Sequence, residues 1–131
     1  EIGHLILYEQ LPELAEQALR ESAETDTPVH EVEQRLLGFD FTEIGQALVD
    51  AWQLPKNLGV AIRFQHHPNG TPDHAFEAAL LNMAYALTEG FQSPNGYMQW
   101  QSLMAPESWQ LTGLQEDALS ECMLEAGKQL T

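Results

Sequence analysis

Two adjacent histidines, His66 and His67, are the residues whose types and spacing best suit chemistry in this sequence. Imidazole nitrogens bind divalent metal ions, and the charge of imidazole changes within the physiological pH range. A bound ion would lower the pKa of a water molecule and generate a nucleophile. Hydrolytic metal sites, however, normally use three or more protein ligands and an open position. The pair therefore needs further ligands before it predicts a metal site.

Neighbouring histidines bind one ion poorly by themselves, because successive residues of a helix point about 100° apart. A simpler interpretation is a hydrogen-bonded pair at a helix C-terminus, where the helix dipole favours imidazolium. We therefore expect His66 and His67 to hold no metal and no cofactor. We also expect Cys122 to be a buried structural thiol in the last helix, and His4 to face a partner or a preceding segment.

The sequence contains no other motif of a known catalytic site. A Ser-His-Asp order, a nucleophile elbow, a phosphate-binding glycine loop and an EF-hand loop are all absent. The single cysteine excludes an internal disulfide and a multi-cysteine zinc site. These absences leave the histidine pair as the remaining candidate for a catalytic site.

The composition predicts one domain with a strongly acidic surface. The 131 residues are 44% hydrophobic, which is enough for a single compact core over residues 1–131. With 20 acidic and 5 basic residues, the net charge of −15 disfavours binding to nucleic acid or to a membrane surface. We expect a cytoplasmic protein whose acidic surface either serves solubility or meets a protein partner with a basic face. The oligomeric state stays open.

Helical spacing of apolar residues runs through most of the chain and predicts an all-α fold, a compact bundle of about five to seven helices. Asp40 is the expected N-cap of a central helix, with Glu43 in capping-box spacing, and Pro55 begins the next helix after a sharp turn. We expect helices at about residues 12–23, 30–37, 41–52, 55–67 and 72–90, and a last one after residue 112.

The same spacing predicts which residues form the core. Trp52 ends the apolar stripe of the 41–52 helix, and we expect it to be a buried anchor. The helix after Pro55 is apolar over most of its circumference, so we expect it at the domain centre. In the helix after residue 72, the expected core stripe is Phe76, Leu80, Met83 and Leu87.

Residues 91–113 lack a helical pattern and carry two tryptophans, Trp100 and Trp109. Aromatic residues spaced in this way usually pack a loop onto the core. An exposed pair of tryptophans would instead mark a partner-binding patch. Both alternatives stay open, and Trp100 and Trp109 are the candidate partner-binding residues.

Residues 36–68 carry a family resemblance, in the order of a capped helix, a Trp-Gln-Leu-Pro turn, a second helix and the His66-His67 pair. This order resembles the HDOD domain, the signalling-output relative of the HD-type metal phosphohydrolases. The resemblance implies a bacterial, all-helical regulatory domain that acts through contact with a signalling protein and without catalysis. Because the apolar pattern opens abruptly at Leu5, we also expect the N-terminal helices of such a domain to be missing from this sequence.

The resemblance further implies that several metal ligands of the hydrolases are replaced. Glu1 stands where the hydrolases have the Asp of their His-Asp-Ile-Gly signature, Phe41 where they commonly have a histidine, and Tyr85 where many have an Asp. The alternative function is a metal-dependent phosphohydrolase acting on a nucleotide or a cyclic dinucleotide. In that case the metal ligands would be His66, His67 and Glu1.

Overall fold

The computed structural model describes residues 2–92 and 100–130, and that part of the chain is helical with no β-strand. The all-α prediction is confirmed, with eight α-helices among the described residues against the five to seven expected. No helix of the described part is long and apolar enough to cross a membrane. The helices are α1 (Ile2–Gln10), α2 (Pro12–Thr25), α3 (Val29–Leu37), α4 (Phe41–Ala51), α5 (Lys56–Arg63), α6 (Ala75–Gln92), α7 (Pro106–Thr112) and α8 (Glu116–Leu130). Three short 3₁₀ turns cover Pro68–Gly70, Pro72–His74 and Trp100–Leu103.

The chain divides into two compact units, Glu1–Arg63 and Phe64–Thr131. The first contains α1 to α5, and the second contains α6 to α8 with the three 3₁₀ turns. A single domain over residues 1–131 stays a prediction.

In the first unit, α1 packs closely against α4, and α2 packs against both α1 and α3. Gly3 makes the close approach of α1 possible, because a Cβ atom at this position would overlap the carbonyl oxygen of Phe41. Gly45 on α4 lies close to α5, where an added Cβ would come within 2.8 Å of the Ile62 side chain. Helix α4 is therefore fixed on two sides by glycine contacts.

The start of α4 is defined by the cap that the sequence predicts. Asp40 Oδ1 accepts hydrogen bonds from the backbone N–H groups of Thr42 (2.8 Å) and Glu43 (3.2 Å), which the helix itself cannot satisfy. The reciprocal half of the expected capping box is replaced by an ion pair, since Glu43 Oε1 lies 3.2 Å from Arg63 Nη2 on α5. The Asp40 cap is thus confirmed, and the side chain of Glu43 ties α4 to α5.

The end of α4 is a Schellman turn, and it overturns the prediction that Trp52 is buried. Gln53 has a positive φ of 57°, its N–H donates to the carbonyl of Asp50, and the N–H of Leu54 donates to the carbonyl of Val49. Trp52 precedes this turn and is 59% exposed. The apolar stripe places Trp52 on the correct face of α4, but no element of the first unit covers the end of that face.

Helix α5 is also less buried than its sequence predicts. Within it only Gly59 and Ala61 are buried, while Leu58 is 47% exposed. The expectation of a helix at the domain centre is wrong, because α5 packs through its small residues on α4 and leaves larger side chains outside.

In the second unit, α6 buries its small-residue face. Of the expected core stripe, Met83 is buried and Leu87 packs against the core, whereas Phe76 and Leu80 are 51% and 40% exposed. Small side chains let a helix come close to its neighbours, and α6 uses them against α7 and the 3₁₀ turns. The buried residues of this face are Ala75, Ala78, Ala79, Asn82 and Ala86.

One buried amide joins α6 to the start of α7. Asn82 Oδ1 accepts hydrogen bonds from the backbone N–H of Ala105 (2.8 Å) and from Ser108 Oγ (2.9 Å). These two bonds fix the N-terminal turn of α7, a helix that lies inside the segment for which the sequence predicts no regular structure.

Candidate functional site

The paired histidines lie in the chain between α5 and the Pro68–Gly70 turn, in the second unit. His66 is half-buried, and its ring meets Tyr85 of α6 edge-on, with centroids 5.0 Å apart and planes at 85°. His67 is exposed, and its backbone N–H donates to the carbonyl of Phe64 at 2.9 Å. The two imidazoles therefore occupy different environments, one half-buried against Tyr85 and one exposed.

The remaining expected ligand positions offer no substitute ligand. Glu1 lies outside the described residues. Phe41 is 1% exposed and has no atom that can bind a metal, and Tyr85 supplies an aromatic contact to His66. Among residues 2–92 and 100–130, no group of three His, Cys, Asp or Glu side chains is close enough to hold an ion. The described residues therefore do not fit the metal centre that HD-type hydrolysis uses.

The polar contact with the strongest geometry is a buried pair that the sequence did not predict. His4 of α1 and Glu33 of α3 are both buried, with 7% and 1% of their side chains exposed, and His4 Nε2 lies 2.8 Å from Glu33 Oε2. Because a carboxylate only accepts, the imidazole Nε2 donates this hydrogen bond. The prediction that His4 faces a partner or a preceding segment is wrong, since its ring is enclosed within the first unit.

The second oxygen of Glu33 binds the start of α4. Glu33 Oε1 accepts the backbone N–H of Phe41 at 3.0 Å, next to the Asp40 cap. Two carboxylates thus meet the N-terminal turn of α4, where unpaired N–H groups and the helix dipole favour negative charge. The arrangement uses both oxygens of Glu33 for structure.

Aromatic stacking encloses the His4 ring. Its centroid lies 4.0 Å from that of Phe41, with the planes inclined by 24°, and 5.8 Å from that of Tyr8, inclined by 13°. The residue at an apparent ligand position, Phe41, therefore packs on the imidazole and shields the His4–Glu33 bond from water. Such a pair orients helices and is not open to a substrate.

Trp100 and Trp109 belong to the core of the second unit. Trp100 is 2% exposed, in a cluster with Met83, Met104 and Met123, and Trp109 packs against this cluster half-buried. The centroids of the two indole rings lie 6.4 Å apart. The two tryptophans pack onto the core, which is the first of the two alternatives. Trp100 therefore presents no surface to a partner.

Cys122 is exposed on α8, and the expectation of a buried thiol is wrong. It lines a shallow groove with Leu124 and Lys128 along the outer face of the helix. The helix buries Leu119 and Met123 instead. Cys122 lies three residues after Leu119 and directly before Met123. The apolar spacing therefore predicted burial for Cys122, although it lies just outside the buried face of the helix.

Three exposed apolar residues follow the end of α4, namely Trp52, Leu54 and Leu58, and we call them the corner patch. Their exposed fractions are 59%, 42% and 47%. An adjoining groove between α4 and α5 has a volume of about 650 Å³. Its lining residues are Gln46, Asp50, Gln53, Leu54, Lys56 and Val60. Exposed apolar side chains beside a polar groove are a feature of protein-binding sites.

Comparison with known proteins agrees with the helical architecture. A solved structure named "Putative phosphohydrolase from Shewanella amazonensis SB2B" superposes with a TM-score of 0.66 at 26% sequence identity. The match covers 95% of this chain and 46% of that protein, so the chain spans less than half the length of this relative. No curated protein matches the chain.

The sequence profile of the HDOD domain matches residues 1–68, which is just over half of the chain. The chain therefore belongs to the HDOD family, and the resemblance seen in residues 36–68 is confirmed. The matched region includes both members of the His4–Glu33 pair and the whole of the corner patch.

Proposed function

We propose that this chain is a regulatory output domain of bacterial signalling that binds a protein partner in the cytoplasm and catalyses no reaction. The observation that carries the proposal is the use of Glu33. Its two oxygens bind His4 and the Phe41 N–H inside the first unit, so this carboxylate and this imidazole are withdrawn from ligand chemistry. What the described residues offer instead is surface, in the form of the corner patch and the acidic helix faces.

The acidic surface suggests the chemistry of the signalling partner. A net charge of −15 raises the rate at which a protein with a basic face encounters the chain. Added salt should therefore slow association more than it speeds dissociation. Kinetic binding measurements at two salt concentrations, with a candidate signalling protein of the same organism, test this part of the proposal.

The absence of catalysis is tested by activity and metal content together. Purified chain should hold no stoichiometric Fe, Mn or Zn by elemental analysis. It should hydrolyse an activated phosphodiester and a cyclic dinucleotide, with each metal added, no faster than the His66→Ala/His67→Ala variant does. His74→Ala, which removes a histidine elsewhere in the second unit, is the matched control.

The alternative is a metal-dependent phosphohydrolase acting on a nucleotide or cyclic dinucleotide. The His66-His67 pair and the name of the Shewanella relative favour it. Metal bound at one or two ions per chain, and turnover that is lost in the double histidine variant but kept in His74→Ala, would establish this alternative and overturn the proposal.

A further inference from the structure

We propose that the α4–α5 hairpin is a self-complementary surface through which two copies of this chain associate. The inference goes beyond the contact with a signalling partner and does not depend on it. It rests on the corner patch, on two charged side chains beside it, and on the distribution of charge along the chain.

The corner patch is held by a closed turn. The N–H groups of Trp52, Gln53 and Leu54 donate to the carbonyls of Leu48, Asp50 and Val49, at 3.0, 3.1 and 3.1 Å. These three donors are satisfied within the turn, so the exposed Trp52 and Leu54 side chains stand on a fixed backbone. Exposed tryptophan on a fixed scaffold is typical of the centre of a protein interface.

The hairpin carries little net charge for so acidic a chain. Residues 40–63 contain three acidic and two basic side chains, hence a net charge of −1. The other 107 residues contain 17 acidic and three basic side chains, hence −14. Two copies that meet through their hairpins therefore bring together surfaces of low net charge.

Asp50 and Lys56 supply the complementarity. Both line the groove beside the corner patch, and neither forms an ion pair anywhere within residues 2–92 and 100–130. The other four basic side chains are all paired in that part of the chain. Those pairs are Arg20–Glu16, Arg35–Glu21, Arg63–Glu43 and Lys128–Glu125.

A two-fold axis through the hairpin would satisfy both charges at once. In such a contact residue i of one copy meets residue j of the other, and j meets i. Lys56 of each copy then meets Asp50 of the other, around an apolar centre of two corner patches. A partner with only a basic face would place positive charge against Lys56. A partner with only an acidic face would place negative charge against Asp50. A second copy is the occupant that carries both signs beside matching apolar residues.

The size of a stable interface sets how far the contact extends. A specific interface buries about 800 Å² on each partner, more than three side chains provide. The contact therefore has to include the groove between α4 and α5.

Salt should strengthen the association. Raising the salt concentration from about 0.01 M to about 0.15 M shortens the Debye length from roughly 30 Å to 8 Å and screens the repulsion between the acidic residues outside the two hairpins. Association should be tighter at the higher concentration.

Charge reversal in two separate variants gives the decisive test. Lys56→Asp leaves two carboxylates at each end of the contact, and Asp50→Lys leaves two ammonium groups. Each variant alone should dimerise roughly tenfold or more weakly than the wild type, since like charges across an interface are strongly unfavourable. An equimolar mixture should recover the dimer, because each end of the contact then pairs a carboxylate of the Lys56→Asp variant with an ammonium group of the Asp50→Lys variant.

Sedimentation equilibrium at several concentrations measures the association. Arg20→Asp and Glu24→Lys, which make the same charge changes on the exposed side of α2, are the matched controls and should dimerise like the wild type. Trp52→Ser should weaken the dimer and leave the far-ultraviolet circular dichroism of the monomer unchanged.

Each contrary outcome overturns the proposal. A wild-type chain that stays monomeric at millimolar concentration has no such interface. Single charge variants that dimerise like the wild type place the contact elsewhere on the surface. Variants that are weakened alone but do not recover on mixing show that Asp50 and Lys56 do not meet across a two-fold axis.

Discussion

Removing the imidazole of His4 should destabilise the chain strongly, while removing the charge of Glu33 at the same time should restore much of the loss. His4→Phe keeps an aromatic ring between Phe41 and Tyr8 but deletes the hydrogen bond to Glu33. Within the described part of the chain, the carboxylate then stays buried with the Phe41 N–H as its remaining donor. Breaking a buried charged pair on one side typically costs about 3–5 kcal/mol.

The double variant His4→Phe/Glu33→Gln separates this cost from simple loss of packing. A glutamine carbonyl can still accept the Phe41 N–H, and a neutral amide is far cheaper to bury than an unpaired carboxylate. The coupling between the two substitutions should therefore reach about 1.5–3 kcal/mol, within the range for residues in direct contact.

Urea unfolding followed by far-ultraviolet circular dichroism measures these differences. With a slope of about 1.5–2 kcal/mol/M, a loss of about 3–5 kcal/mol lowers the urea midpoint by roughly 1.5–3 M. His67→Phe, the same substitution at an exposed histidine, is the control and should stay within about 0.5 kcal/mol of the wild type. A His4→Phe variant that unfolds with the control, or a double variant no more stable than His4→Phe, would refute the buried-pair argument.

Three further changes follow from the backbone and from surface exposure. Gln53→Gly should raise the free energy of unfolding by up to about 1 kcal/mol, because glycine adopts a positive φ without a Cβ penalty; a lower urea midpoint would contradict this. Gly3→Ala should cost about 1–3 kcal/mol, because its Cβ would overlap the Phe41 carbonyl oxygen and push α1 from α4; an unchanged melting temperature would count against that close approach. The exposed Cys122 thiol should react with a chromogenic disulfide reagent in the folded chain nearly as fast as in urea, and a rate slower by about tenfold or more would show it to be shielded.

The features that the sequence predicted well are those set by local chemistry. The Asp40 cap, the end of α3 at Leu37 and the all-α class each depend on residues only a few positions apart. These local predictions hold in the folded protein because the backbone N–H and carbonyl groups at a helix end need hydrogen-bond partners wherever the helix lies.

Burial was harder to predict. Apolar spacing shows on which face of its helix a residue lies, but it does not show whether a neighbouring helix is long enough to cover that residue. Trp52 follows the apolar face of α4 at its C-terminal end, where it is 59% exposed. Phe76 and Leu80 were expected in the core because they are large, yet α6 packs through its alanines. In α4 and α6, the size and the periodicity of the apolar residues therefore predicted burial for side chains that lie at the exposed edge of the apolar face.

The His4–Glu33 pair could not be predicted from spacing at all. The two residues are 29 positions apart, and each looks like a surface residue in its own helix. The weak signal was the position of His4 beside Gly3 and three residues before Leu7, on the face that α1 buries. Its partner depends on how α1 and α3 meet, which a helical pattern does not define.

The two oxygens of Glu33 have a mechanical consequence. One holds α1 through His4 and the other holds the first turn of α4, while the carboxylate itself belongs to α3. The Glu33 carboxylate thus links three helices through two hydrogen bonds. Moving one of these helices away from the others breaks at least one of the two hydrogen bonds. A shift of α1 or α4 relative to α3 therefore costs one of the two buried hydrogen bonds of Glu33, so that the free energy of this one carboxylate depends on the placement of all three helices.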